Sequence, residues 1–343
     1  MEKKLISKKI ISKTLLFIGM LLFISLFKSI FGSKNSTVGI TTVMLVLILM
    51  SQNLSVNPIK NIIKLILINL ITGVATYISS QNIYWGIIID FSTMWFIGYF
   101  FSVTLSKSVI LPFGLQYLFL LYAPVTGNDL VKRFIGLALA PFLIMLAQYF
   151  IYGRNKKVKV KKSDLLEFGK VDDTYETVEF LGKEFKINKM RANYALRLSV
   201  LITIVVFING LILLPRGISE GRWMAYTVFS VTELFGERCR VKSKKRMQAT
   251  IIGGLIVLVL FILIKSPVHR GIIIIVAGYL NSFFDDYRDL MICVTVSAVA
   301  SVAISNGALL TVFERILFVF IGIIVGLIGN KLIFSDYEEK SFT

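Results

Sequence analysis

Asp90 interrupts the apolar run Gly86-Ile87-Ile88-Ile89-Asp90-Phe91-Ser92-Thr93-Met94-Trp95-Phe96. A carboxyl group among apolar side chains is costly to ionise, so it can take up and release a proton where one charge state must alternate with the other. Asp90 is therefore read either as a protonatable group that couples proton entry to transport, or as an interfacial carboxylate held by a nearby Lys or Arg. Glu233, in Phe229-Ser230-Val231-Thr232-Glu233-Leu234-Phe235, offers the same chemistry, or an ion pair with Arg238 or Lys242. Arg133 and Arg315 each stand at the start of an apolar run, where a guanidinium can attract an anion or pair with Asp129 and Glu314 respectively.

Other chemistry finds less support. His269 is the single histidine, and neither Cys239 nor Cys293 has a Cys or His partner at ligand spacing. No metal, no cofactor and no disulfide framework is expected. No Gly-x-x-x-x-Gly-Lys element is present, so the chain is not by itself an ATP-driven pump. The loop Asp285-Asp286-Tyr287-Arg288-Asp289 is a solvated turn or, in a competing reading, the acidic site of a membrane enzyme that acts on lipid-linked substrates. No residue is assigned a catalytic role. Asn69 and Asn209 are read as helix-to-helix hydrogen-bonding groups. Trp85, Trp95, Trp223, Tyr117 and Tyr122 either stack on an aromatic ligand or sit at membrane interfaces.

The elements that must position these residues follow from composition. Apolar residues make up 56% of the chain and charged residues only 17%, with mean hydropathy +0.78. Twelve apolar segments can be drawn: 14–31, 37–54, 61–79, 84–105, 108–124, 131–152, 197–214, 222–236, 246–264, 270–284, 289–305 and 312–334. A spanning helix needs about 20 apolar residues. The segments 222–236 and 270–284 fall short and are expected to be tilted or broken. The basic start Met1-Glu2-Lys3-Lys4 precedes an apolar run without a small-residue cleavage site, which predicts a retained first membrane helix.

A net charge of +18 would point to nucleic acid in a soluble protein. Here the Lys and Arg residues fall mostly in the loops that one side of the membrane would hold, as positive-inside topology requires, and no nucleic-acid partner is expected. Both termini are placed in the cytoplasm. The polar stretch 153–196 separates the halves and is read as a basic cytoplasmic linker with a small interfacial helix; its 154–162 run can bind anionic lipid or a docking partner.

A repeat links the halves. At an offset of about 185 residues, Thr14–Phe31 falls on Ser199–Arg216, and Tyr84-Trp85-Gly86-Ile87 on His269-Arg270-Gly271-Ile272. With a small further shift, Lys132-Arg133-Phe134 meets Glu314-Arg315-Ile316. An even number of crossings per half makes this a parallel repeat, an arrangement in which transporters place substrate between the halves.

The run Arg246-Met247-Gln248-Ala249-Thr250-Ile251-Ile252-Gly253 resembles the R-x-x-G-T-x-x-G helix start of the fusaric-acid-resistance-like (FUSC) family, with Ala249 in place of the first Gly. Glu314-Arg315-Ile316-Leu317-Phe318-Val319-Phe320-Ile321-Gly322 resembles that family's E-R-x-x-x-x-x-x-G element, with Phe318 where relatives often carry an acid. The resemblance covers about 197–334 and includes aromatic acid exporters. It implies efflux of small organic anions, aromatic carboxylates among them, driven by the proton gradient. By it Arg246, Thr250, Gly253, Glu314 and Gly322 are motif residues with structural roles: Arg246 at the inner interface, Thr250 bonding a carbonyl in its own helix, Gly253 admitting a neighbouring helix.

The sequence thus predicts an all-α polytopic membrane protein of about twelve transmembrane helices. It divides into 1–152, the linker 153–196, a second half 197–334 and a tail 335–343. Its expected work is export of a small organic anion from the cell, with membrane lipids as neighbours and oligomerisation left open. The alternative is a membrane-embedded enzyme or assembly partner acting on lipid-linked envelope substrates.

Overall fold

The computed structural model describes residues 2–50, 54, 58–102, 107–150, 175–180 and 183–332. The 154–162 run and the tail 335–343 lie outside the described residues. Twelve α-helices are described. They are α1 (Glu2–Phe31), α2 (Ser36–Leu49), α3 (Pro58–Gln81), α4 (Ile83–Phe100), α5 (Lys107–Leu121), α6 (Asn128–Gln148), α7 (Lys189–Ile208), α8 (Arg222–Val231), α9 (Gly236–Leu263), α10 (Pro267–Asn281), α11 (Tyr287–Asn306) and α12 (Ala308–Leu332).

Local chemistry sets several helix starts. Asn82 accepts from the Tyr84 amide at 2.8 Å and opens α4; Asn188 accepts from Arg191 N at 3.0 Å and opens α7; Asp286 accepts from Arg288 N at 2.9 Å and opens α11. Each satisfies an amide that has no partner within its helix. Pro267 stands in the first turn of α10, where its missing N–H costs nothing. Gly307, at φ 86, is the single residue between α11 and α12, and that reversal needs the left-handed freedom of glycine.

Eight helices are long and apolar enough to cross a membrane: α1 from Ile10, α3, α4, α6, α7 with its extension to Arg216, α9, α11 and α12. Large apolar side chains such as Leu22, Ile71, Phe142, Ile262 and Phe313 are exposed on them. In water such surface would drive aggregation, whereas in hydrocarbon it is solvated. The protein is a multi-pass membrane protein. The segments expected at 37–54 and 108–124 become helices of 14 and 15 residues, α2 and α5. Those at 222–236 and 270–284 become helices of 10 and 15 residues, α8 and α10, as short as the sequence implied.

Within the linker, Tyr175–Phe180 pairs antiparallel with Lys183–Asn188, Tyr175 opposite Asn188, while residues 153–174 of the stretch expected to carry a small interfacial helix lie outside the described residues. Thr177, Val178, Phe185 and Ile187 favour extended backbone, which outweighs the scattered charges. The helix that follows begins at Lys189 rather than 197.

The described residues form two compact units that draw on both halves of the chain. Unit 1 takes Met1–Phe23, Ile212–Thr232 and Glu237–Gly329; unit 2 takes Ile24–Leu211, Glu233–Gly236 and the end of α12. In unit 1, the start of α1 packs on α10: Lys13 Nζ donates to Ser282 O at 2.5 Å, and Thr14 Oγ1 bonds Tyr279 Oη at 2.7 Å. Its apolar core includes Val257, Phe261, Val299, Ala300 and Val312. In unit 2, α7 lies along α4, close enough that a Cβ on Gly98 would stand 2.9 Å from Ala195 Cα. Tyr117, Phe113, Met94, Ile97 and Tyr194 are buried there.

Candidate functional site

Asp90 lies on α4 within unit 2 and is 2% exposed. Its Oδ1 accepts hydrogen bonds from Ser79 Oγ on α3, at 2.6 Å, and from Tyr117 Oη on α5. Among the described residues no hydrogen bond reaches Oδ2 and no Lys or Arg pairs with the carboxylate. Gly86, one turn earlier on α4, leaves the room: a Cβ there would be 3.1 Å from Ser79 Oγ and 3.7 Å from Asp90 Oδ2. Asp90 is thus enclosed by α3, α4 and α5 and held by hydroxyls. A carboxylate held only by hydroxyls can be neutralised by protonation without breaking an ion pair.

A second polar relay crosses the same unit. Gln116 Nε2 donates to Asn69 Oδ1 at 3.2 Å, and Asn69 Nδ2 donates to Leu137 O at 3.2 Å, tying α3 to α5 and α6.

Arg133, on α6, is 3% exposed and has an oxygen for each nitrogen. Nε donates to Asn35 Oδ1 at 3.0 Å, Nη2 to Lys34 O at 3.2 Å and Nη1 to Leu120 O at 3.5 Å. Asn35 in turn donates to Phe31 O at 3.0 Å and Asp129 O at 2.9 Å. The Asp129 carboxylate pairs with Lys34, at 3.1 Å. The cavity beside Arg133, lined by Thr76, Leu120 and Val125, measures about 10 Å³. That is roughly the room one water needs.

Glu233 is 4% exposed, in the non-helical stretch Thr232–Phe235 between α8 and α9. Its own carbonyl and that of Leu234 accept from Arg197 Nη2, at 2.6 and 3.1 Å. A break in a membrane helix strands carbonyl groups, and Arg197 on α7 satisfies two of them. Glu233 and Arg197 both act electrostatically on Tyr194, one turn before Arg197.

In unit 1, Arg315 on α12 is 3% exposed. Its guanidinium lies over the Trp223 ring, 4.8 Å from the centroid. Glu220, Arg222, Tyr226 and Arg246 are within its electrostatic reach. Glu220 is itself engaged: Arg222 Nη2 and Nε donate to it at 2.7 and 3.3 Å, and Ser219 Oγ at 3.2 Å. Glu314 is half-buried on α12 and feels Glu220 as a like charge. Arg246, on α9, is 4% exposed, and its Nη1 meets Met291 Sδ.

The remaining motif residues shape this unit. Thr250 Oγ1 donates to Arg246 O at 2.9 Å. A Cβ on Gly253 would stand 2.9 Å from Thr295 Cβ on α11. One on Gly322 would stand 2.9 Å from Met224 O and 2.9 Å from Thr227 Cβ on α8. Both glycines let backbones approach as side chains would not permit.

Sequence reasoning singled out Asp90, Glu233, Arg133 and Arg315, and all four are buried. It missed Ser79, Asn35, Arg197 and Glu220, and it took Tyr117 and Trp223 only as stackers or interface residues. One local signal existed: Ser219-Glu220-Gly221-Arg222 places opposite charges two apart at a helix start.

No curated protein and no solved structure matches the chain. Residues 200–329 match the family model described as fusaric acid resistance protein-like, so the resemblance read from the Arg246–Gly253 and Glu314–Gly322 motifs is shown for that stretch of the chain, from α7 through most of α12.

Proposed function

We propose that the protein exports a small organic anion, aromatic carboxylates included, from the cell, and that proton entry drives the export. The observation that carries this reading is Asp90: a carboxylate 2% exposed in an apolar helix, held by the hydroxyls of Ser79 and Tyr117, with Oδ2 open to a proton. An intramembrane carboxylate is costly unless it works, and proton coupling is the work that asks for a single carboxylate without a base beside it. The match of residues 200–329 to the fusaric acid resistance protein-like model supports transport as the class.

In this reading the chain lies in the cell membrane with both termini in the cytoplasm, and its halves descend from a parallel duplication. Arg315 and Arg133 face the anion differently. Arg133 spends its donors on Asn35, Lys34 and Leu120, so it shapes the unit, while Arg315 keeps its donors for the cargo.

The test is growth of a deletion strain, with and without the gene restored, against a panel of weak organic acids. Restored resistance that an uncoupler abolishes is expected for at least one acid. Asp90→Asn keeps an oxygen for Ser79 and Tyr117 but cannot be protonated, so it should insert normally and lose resistance. Full resistance in Asp90→Asn, or resistance indifferent to the uncoupler, overturns proton coupling at this residue.

A further inference from the structure

Arg315 and Arg246 present buried donors without acceptors. Among the described residues no hydrogen bond or ion pair reaches Arg315, and Arg246 has only the thioether of Met291, a weak acceptor. The Nε atoms of both are buried and unpartnered. Met247, beside Arg246, packs against the cluster of Val231, Val319 and Ile323, and Val319 lies one turn after Arg315, so α9 and α12 bring the two like charges to one part of unit 1. Buried cations are ordinarily paired, because an uncompensated charge costs several kcal/mol. Arg133, equally buried, shows the usual solution, an oxygen for every nitrogen. Unit 1 breaks that rule twice in one place.

Nearby acids do not close the deficit. Glu220 is held by Arg222 and Ser219, and it reaches Arg315 only at a distance. Glu314 is half-buried and lies near Glu220. With Arg222 answering Glu220, Arg246 and Arg315 outnumber the remaining carboxylate by one charge.

We propose that Arg246 and Arg315 together hold one small carboxylate inside unit 1, with Arg246 a binding residue rather than only a motif residue of the helix start. The Arg315 Cζ lies over the Trp223 ring, and the guanidinium N–H groups point along its own plane. A planar oxyanion meets such a fork edge to edge, and a carboxylate is a planar oxyanion whose single charge balances the site. A doubly charged phosphate or sulfate overshoots the balance and is not planar; chloride has no pair of oxygens to match a fork. The site deepens the export reading by naming where an anion rests, but it needs that reading only for the anion to be cargo.

The experiment reads binding alone. The full chain, carrying Trp85→Phe and Trp95→Phe so that Trp223 is the remaining tryptophan, is placed in nanodiscs of phosphatidylcholine, which supplies no anionic headgroup. Acetate and cyclohexanecarboxylate are titrated against sulfate and chloride at matched ionic strength, following Trp223 fluorescence. A saturable change with the carboxylates is expected. Arg246→Lys and Arg315→Lys each keep the charge but lose the fork, and each should raise the half-saturating concentration roughly tenfold or more. The proposal is overturned if the carboxylates leave Trp223 unchanged in protein with an intact melting transition. It is also overturned if Arg246→Lys titrates as the parent does, or if sulfate or chloride saturates at the same concentration. Binding without export in the growth assay sinks the transport reading and keeps the site; export without binding does the reverse.

Discussion

Arg133 and Arg315 stand near the starts of α6 and α12, and both are 3% exposed. Their surroundings differ completely. Arg133 is fastened to Asn35 Oδ1, Lys34 O and Leu120 O, and the cavity beside it has room for about one water. Arg315 has an aromatic face beneath it and no acceptor at its edges among the described residues. Burial alone therefore does not distinguish a clamp from a binding group. What distinguishes them is whether the donors are spent within the protein. Spent donors hold helices together; unspent donors raise the energy of the empty site and lower it when an anion arrives.

The largest effect that separates the two is on stability. Arg133→Met takes the side-chain donors from Asn35 Oδ1 and the Lys34 carbonyl in a buried setting, while Leu120 O keeps the Ala123 amide. It should destabilise the protein by about 3 kcal/mol or more, read as a lower melting temperature in a fixed detergent. Arg315→Met removes a buried charge that has no partner to strand. It should change stability by less than about 1 kcal/mol or raise it, while abolishing the carboxylate response. The reverse order would erase the distinction between the two arginines.

A smaller effect tests the helices behind them. In α12, Gly322 lets the helix lie against the backbone of α8, which also carries Trp223; a Cβ would meet Met224 O at 2.9 Å. Gly322→Ala should therefore cost about 1–3 kcal/mol, because main chain must move. In α6, a Cβ on Gly136 would meet Phe27 Cζ at 2.9 Å, the far end of a ring that can turn aside. Gly136→Ala should cost less than Gly322→Ala in the same melting assay. Equal losses would mean that α8 and α12 are no more tightly seated than α1 and α6.

How much of this was legible before the fold is clear from particular residues. Asp90, Arg133 and Arg315 declare themselves, because an ionisable group in an apolar run is rare for a physical reason. Their partners do not. Ser79 and Tyr117 reach Asp90, and Asn35 reaches Arg133, from helices whose crossing no linear spacing encodes. The same holds for α7, whose apolar face gave no hint that it would lie along α4. The hairpin 175–188 was hidden for another reason: its Thr, Val, Phe and Ile alternate with Glu and Lys over a stretch too short to separate strand from amphipathic helix by period. Membrane class was legible throughout, since it rests on composition and segment length rather than on contacts.

The smallest effect comes from a charge pair that differs from both arginines in being exposed. Lys245 Nζ lies 2.5 Å from Asp286 Oδ1, with side chains 36% and 44% exposed. The hydrogen bond from Lys245 holds the Asp286 carboxyl below its ordinary value, helped by the Arg288 amide at the start of α11. A carboxyl whose folded pKa is depressed adds stability above the unfolded value, and that stability is lost as pH falls through the folded one. Any contribution from this pair should therefore be constant near neutrality and fade only below about pH 4. Water screens the pair, so Lys245→Met should leave the neutral-pH melting temperature almost unchanged and flatten slightly the acid side of its pH dependence. A large neutral-pH loss in Lys245→Met would mean that surface charge contributes to unit 1 on the scale assigned here to buried donors, and the contrast drawn between Arg133 and Arg315 would then need a different cause.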